Sequence, residues 1–334
     1  MIKKIRIGNK HIGENEPTFI IAEAGSNHDG NINQAKELID IASECKADAI
    51  KFQLFKAESF YKINDPMFEV MKENEFPREW MKELHNYTQK KNIIFLASAF
   101  DNEAVDLLQE YNSPAFKIAS SEITNLSLLR YVALNNKPLI LSTAMCNIAD
   151  IYEAIDVINS TGNNDIILLQ CSALYPTEAQ YINLRVMGTL KCAFNLSVGY
   201  SDHTLGIHIP AAAVGMGACV IEKHFTISRK LKGPDHSYAI EPKELQSMIE
   251  NIREVEKSLG SPIKKMLNEE KSGARRESIY AKGDISKGMI ITNELLEIRR
   301  PAIGIEPRLL RAIIGLKSIK NIKAGEMIDW DMIK

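Results

Sequence analysis

The segments "LSVGYSDH" (196–203) and "ACVIEKHF" (218–225) each run from apolar to polar within a few residues. A short apolar run of this kind reads as a buried strand of a parallel sheet. Side chains alternate between the faces of a strand, so Ser201 and His203 share one face, and Glu222 and His224 do likewise. The same alternation excludes a hydrolytic relay through the consecutive residues Ser201, Asp202 and His203, which point to opposite faces. What it favours is two histidines at the ends of successive strands, sharing one pocket.

Upstream, six similar runs occur: "TFIIAEAG" (18–25), "AIKFQLF" (49–55), "IIFLASAF" (93–100), "AFKIAS" (115–120), "PLILST" (138–143) and "DIILLQC" (165–171). Between them lie stretches such as "NQAKELIDIASEC" and "IADIYEAIDVIN", whose apolar residues recur at three and four spacing and predict amphipathic helices. Eight strand-and-helix units in roughly 240 residues match a (β/α)8 TIM barrel over 18–258 in count and length. An open doubly wound sheet more often stops at five or six strands. Ahead of the barrel, "MIKKIRIGNKHIG" alternates as a hairpin over 1–17 and lacks the apolar core and cleavage site of a secretion signal.

The chain of 334 residues, 45% hydrophobic and 25% charged, suits one large domain and a small one. No apolar run approaches a membrane span, and a net charge of −2 announces neither nucleic acid nor membrane as a partner. Five cysteines without CxxC spacing read as buried thiols of a cytoplasmic protein.

Residues 259–279 are polar, begin with Gly, Ser and Pro, and read as a linker. Beyond it, "DISKGMIITNELL" at 284 and "NIKAGEMIDWDMI" at 321 align Ile285 with Ile322, Gly288 with Gly325, Ile291 with Ile328 and Leu296 with Ile333. This weak repeat predicts a compact, pseudo-symmetric β-rich module over 280–334. The module is mildly basic, with ten Lys and Arg against seven Asp and Glu.

Function in such a barrel collects at the carboxyl ends of the strands. The residues there are Glu23; Lys51 and Gln53; Lys117 and Ser120; Ser142; Tyr175; Ser201 with His203; and Glu222 with His224. Any single one could belong to a structural ion pair. Two inward lysines without a Gly-rich phosphate loop imply a small phosphorylated acid held by side chains. Neighbouring strands lie about 4.8 Å apart, so His203 and His224 can reach one divalent ion, the alternative being hydrogen-bonded core histidines. His28 and His236, in Gly-flanked loops, are expected at the mouth.

The motifs "IAEAGSNHDG", "IKFQ", "FKIAS", "LSTAM", "YPT", "GYSDHT", "EKHFT" and "GPDH" occur in this order at the strand ends. Together they resemble the bacterial sialic acid synthase family, which condenses phosphoenolpyruvate with an N-acetylated mannose-type sugar. The tail is similar to that family's antifreeze-like (SAF) domain. The resemblance covers essentially the whole chain and implies a domain-swapped homodimer, in which Arg300 of one chain reaches the sugar in the barrel of the other. It implies a divalent metal, Mn2+ with Mg2+ or Co2+ as alternatives, on His203 and His224. Lys51, Lys117, Ser120, Ser142 and Ser201 match positions that hold phosphoenolpyruvate. Glu23, Gln53, Tyr175, Glu222 and Asp235 match positions around the sugar and reacting centre, with Glu23 the candidate for proton transfer.

One departure from the pattern bears on the substrate. Members acting on N-acetylmannosamine tend to carry Asn where this chain has Ala173. The loss of an amide there implies 2,4-diacetamido-2,4,6-trideoxymannose as the sugar and N,N'-diacetyllegionaminic acid as the product, with N-acetylneuraminic and pseudaminic acid synthesis as alternatives. A metal-dependent aldolase or hydrolase would use the histidines but leave the paired lysines without a role. A non-catalytic glycan- or ice-binding protein would leave the polar strand ends unexplained.

Overall fold

The computed structural model describes residues 2–272 and 275–334. The chain divides into two compact units, 1–260 and 261–334. An antiparallel hairpin, β1 (Ile5–Ile7) and β2 (Lys10–Ile12), opens the first unit. Eight parallel strands follow: β3 (Phe19–Gly25), β4 (Ala49–Leu54), β5 (Ile94–Ala99), β6 (Phe116–Ile118), β7 (Leu139–Ser142), β8 (Ile166–Gln170), β9 (Ser197–Asp202) and β10 (Val220–His224). They close into a barrel in sequence order, β10 returning to β3 with His224 opposite Glu23. This is the (β/α)8 architecture, with each predicted strand in place.

Alternation along these strands builds two cores. Outward residues such as Ile20, Ile50, Phe95 and Leu168 pack against the helices. Inward residues, among them Phe19, Ile21, Leu96 and Ile167, fill the lower half of the barrel together with Ile5, Ile7 and Ile12 of the hairpin. The hairpin thus plugs the amino-terminal end and leaves the other end open to chemistry. Gly199 permits the approach of β9 to β10, because a Cβ there would lie 2.4 Å from the carbonyl oxygen of Val220.

The helices begin where a side chain can satisfy free backbone N–H groups. Asn31 caps Ile32–Glu44, Asp101 caps Asn102–Glu110, and Asn147 forms a reciprocal capping box with Asp150 at the start of Ile148–Asn159. The first of these buries Ala35, Leu38, Ile39 and Ala42, a stripe at helical spacing. Among the described residues no helix is long and apolar enough to cross a membrane.

The second unit holds the short helix Asn268–Ser272 and an antiparallel pair, β11 (Ser278–Ala281) and β12 (Leu296–Arg299). Strand β11 begins inside the stretch read from the sequence as linker. The repeat is a structural one, because Ile285 and Ile322 donate to each other's carbonyl at 2.9 Å in both directions. The bond from Gly325 N–H to Ala281 O is matched by that from Gly288 N–H to Ser318 O. Gly288 and Gly325 turn the chain at φ 87° and 79°, in the left-handed region open to glycine. The aligned pairs Ile285/Ile322, Ile291/Ile328 and Leu296/Ile333 are all buried in one core.

Candidate active site

Along the inner face of the barrel the side chains change from apolar to polar near the carboxyl ends. In β3, Ile21 gives way to Glu23; in β4, Ala49 to Lys51 and Gln53; in β7, Ile140 to Ser142; and in β10, Val220 to Glu222 and His224. These polar groups line a cavity of about 520 Å3 at the open end.

The floor of the cavity is a buried network of four charges. Lys51 Nζ pairs with Glu23 Oε2 at 2.8 Å, donates to Ser98 Oγ at 3.0 Å, and lies 3.7 Å from Glu222 Oε1. Lys117 Nζ donates to Ser142 Oγ at 2.7 Å and lies 3.6 Å from the same oxygen of Glu222. Ser201 Oγ also donates to Glu222 Oε1, at 3.1 Å, and Gln53 donates to Glu23 Oε1 at 2.8 Å.

Burial penalises every charge here, so the balance of neighbours decides each protonation state. For Glu23 burial dominates, Lys51 opposes it and Glu222 adds to it, and the carboxyl is pushed up to about 7. For Glu222 burial also acts upward, but Lys117 and Lys51 together outweigh it and bring the group down to about 2. Burial pulls Lys51 down, yet Glu222 and Glu23 overcome this and its ammonium is strengthened. Lys117 is lowered, chiefly by burial, with Glu222 opposing. The cluster therefore sets two lysines against one firm carboxylate and one carboxyl poised to exchange a proton, and two buried lysines at one end of the barrel suit an incoming anion.

On the wall beside this floor the rings of His203 and His224 stand 5.4 Å apart, with the Tyr175 ring 4.3 Å from His203. His203 Nδ1 lies 2.6 Å from the carbonyl oxygen of Ser172, which fixes the proton on that nitrogen and leaves Nε2 with its lone pair. Burial lowers both histidines, His224 to about 3, so both are neutral at physiological pH. His224 Nδ1 is buried without a hydrogen-bond partner, 3.7 Å from Asp235 Oδ2. Asp235 is held by Tyr238, whose hydroxyl donates to Oδ1 at 2.6 Å, and by the backbone N–H of Ser26. Gly25 allows this approach, since a Cβ on it would lie 2.5 Å from Asp235 Oδ2.

Two neutral, neighbouring imidazoles with one orphaned nitrogen fit a divalent cation that takes its other ligands from water and substrate. Among the described residues no group of three or more His, Cys, Asp or Glu is arranged to hold a metal by itself. Behind the two rings, Lys223 and Asp202 form a buried ion pair of 2.6 Å that ties β9 to β10 from the outer face.

Eleven of the residues expected from the sequence line this one cavity: Glu23, Lys51, Gln53, Lys117, Ser120, Ser142, Tyr175, Ser201, His203, Glu222 and His224. Asp235 abuts it through His224. Arg300 is an exposed residue of the second unit. Two expectations are corrected. His28 and His236 do not reach the mouth but are fully buried, His28 in a cage of Phe52, Phe76 and Trp80 and His236 against Asp29 and Thr226. Of the five thiols, Cys192 is exposed and Cys146 half-buried. Ser98 and Tyr238 were not anticipated. Ser98 has the inward parity of Leu96 and was open to the same reasoning that found Lys51. Tyr238 lies in an irregular segment with no period to read.

The NeuB family model matches residues 38–264, and the SAF domain model matches 276–334. The N,N'-diacetyllegionaminic acid synthase of Campylobacter jejuni is 43% identical over 93% of this chain and 98% of its own length. The pseudaminic acid synthase of the same strain is 31% identical over 97% of this chain and 98% of its own. The N-acetylneuraminic acid synthetase of Leptospira borgpetersenii superposes with a TM-score of 0.78 at 38% identity, covering 82% of this chain and 95% of that one. With most of its length matched in this way, the chain belongs to the NeuB family, the sialic acid synthases.

Proposed function

We propose that this nonulosonic acid synthase condenses phosphoenolpyruvate with 2,4-diacetamido-2,4,6-trideoxymannose to give N,N'-diacetyllegionaminic acid and phosphate. The observation that carries the reading is the convergence of two buried lysines and two neutral imidazoles on a single cavity. The higher identity to a legionaminic than to a pseudaminic acid synthase supports the sugar. So does Ala173 on the cavity wall, which offers a hydroxyl no partner and leaves room for a bulkier substituent.

In this mechanism Lys51 and Lys117 hold the phosphate and carboxylate of phosphoenolpyruvate, with Ser120, Ser142 and Ser201 donating hydroxyls. C3 of the enol forms a bond to the aldehyde carbon of the open-chain sugar. Water adds to the cationic C2 and gives up a proton, while the former aldehyde oxygen takes one up. The adduct then breaks its C2–O bond, phosphate leaves with the second proton, and a ketone remains. Glu23, near neutrality in affinity, carries the proton from water to the sugar oxygen. His203 and His224 would hold a divalent cation, which would supply Lewis-acid polarisation of the aldehyde. In the dimer that the family resemblance implies, Arg300 of the second unit contacts the sugar.

Two measurements check this. Incubation with phosphoenolpyruvate, Mn2+ and each candidate sugar should give the highest kcat/KM with the diacetamido trideoxy sugar, and Arg300→Ala should raise KM for that sugar more than for phosphoenolpyruvate. Faster turnover of N-acetylmannosamine would overturn the choice of sugar. Because Glu23 must be ionised to accept the proton, kcat/KM of the unaltered enzyme should rise as pH passes through about 7. Glu23→Gln should lower kcat by about 100- to 1000-fold and remove that rise; a profile with the same inflection would remove Glu23 from the proton transfer.

A further inference from the structure

Three side chains form a hydrogen-bonded chain that the reaction does not use. Thr226 Oγ1 lies 2.6 Å from His236 Nδ1, and His236 Nε2 lies 2.8 Å from Asp29 Oδ1. Asp29 in turn accepts from Gln34, which also holds the carbonyl of Asn27. Nε2–H donates to Asp29, while Thr226 Oγ1 accepts from the Ser228 N–H and lies within hydrogen-bond reach of both His236 Nδ1 and the Ser228 carbonyl oxygen. The order of residues resembles a hydrolytic triad, but Thr226 and His236 are both 0% exposed, so no substrate can reach the hydroxyl.

The position of this chain gives it a mechanical sense. After β10 the backbone runs through an irregular segment in which residues 229–234 are all exposed. The next residue is Asp235, whose carboxylate lies beside His224 Nδ1, and the one after it is His236. His236 is thus the first fully buried side chain after the exposed stretch. One of its nitrogens is fastened to the start of the segment at Thr226 and the other to the loop that follows β3. Gly233 packs over the ring, where a Cβ would lie 2.8 Å from His236 Cδ2. Gly25, the last residue of β3, leaves room for the Asp235 carboxylate.

We infer that His236, clamped between Thr226 and Asp29, is a positioning residue that sets Asp235 against His224 and so tunes the histidine pair for a divalent cation. The inference rests on the reading of His203 and His224 as ligands, and not on the identity of the sugar. Its test is Mn2+ binding by the full-length protein, without either substrate, followed by electron paramagnetic resonance. Partners of ligating histidines typically change metal affinity by about 10- to 100-fold. His236 acts one step further out, so His236→Ala should weaken Mn2+ about tenfold and lower kcat, with KM for phosphoenolpyruvate unchanged. Thr226→Val, which keeps the volume and removes the hydroxyl bonded to His236 and Ser228, should weaken Mn2+ in the same direction and decides the matter if His236→Ala does not fold. Unchanged Mn2+ affinity in the folded variants, or equal weakening of Mn2+ and phosphoenolpyruvate, overturns the inference. If the unaltered protein binds no Mn2+, the metal reading falls with it. If Mn2+ responds as expected but no sugar is condensed, only the proposed reaction falls.

Discussion

His224→Ala should lower kcat by about 1000-fold or more while the barrel stays folded. A cation polarising a carbonyl supplies several kcal/mol of transition-state stabilisation, and each 1.36 kcal/mol is a factor of ten, so losing one of two protein ligands removes about three orders of magnitude. The fold should tolerate the change for an electrostatic reason. The His224 ring is neutral, lowered to about 3 by burial, and its Nδ1 has no hydrogen-bond partner to strand. Its removal leaves neither an uncompensated charge nor a broken ladder, because β10 pairs with β3 and β9 through its backbone. Phosphate release with both substrates measures the rate, and thermal unfolding the stability. Activity within about tenfold of the unaltered enzyme, surviving EDTA treatment of the variant, would remove the metal from the reaction.

The features legible in the sequence are those that depend on a period. Alternation in "GYSDH" and "IEKH" suffices to put Ser201, His203, Glu222 and His224 on the inner face, because a residue's parity in a two-sided barrel decides which core it joins. The fainter repeat of the second unit was legible for the same reason, its aligned isoleucines meeting in one core. Residues in irregular segments were not legible. His28 and His236 sit beside glycines, which signal turns, and turns are usually exposed. Their burial comes from partners far along the chain, Trp80 for one and Asp29 for the other, and no local pattern encodes such contacts. The protonation states of Glu23 and Glu222 were equally hidden. Two carboxylates at equivalent strand ends differ because Glu222 faces two ammonium groups, at 3.6 and 3.7 Å, while Glu23 has one close lysine and a carboxylate neighbour.

That asymmetry leads to the last expectation, for Lys117→Met. Lys117 and Lys51 jointly hold Glu222 ionised, so deleting one ammonium has two separable effects. The first is on folding: a carboxylate left with half its compensation in a buried site is costly, and breaking a buried pair typically costs about 3–5 kcal/mol. Lys51 remains 3.7 Å away and Ser201 still donates to Glu222, which places the expected loss at the lower end of that range. The second effect is on binding, because one of the two lysines available to phosphoenolpyruvate disappears and Ser142 loses the group that orients it. Truncating one member of a buried charged contact costs about 2–5 kcal/mol, so kcat/KM for phosphoenolpyruvate should fall by about 30- to 5000-fold. The double variant Lys117→Met/Glu222→Gln separates the two. With the stranded carboxylate neutralised, the melting temperature should return towards that of the unaltered protein, while affinity for phosphoenolpyruvate stays low. If the double variant also recovers phosphoenolpyruvate affinity, Lys117 serves only to neutralise Glu222 and the anion must bind through other groups. If neither stability nor affinity moves in the single variant, the four-charge network is not what holds this cavity open to an anion.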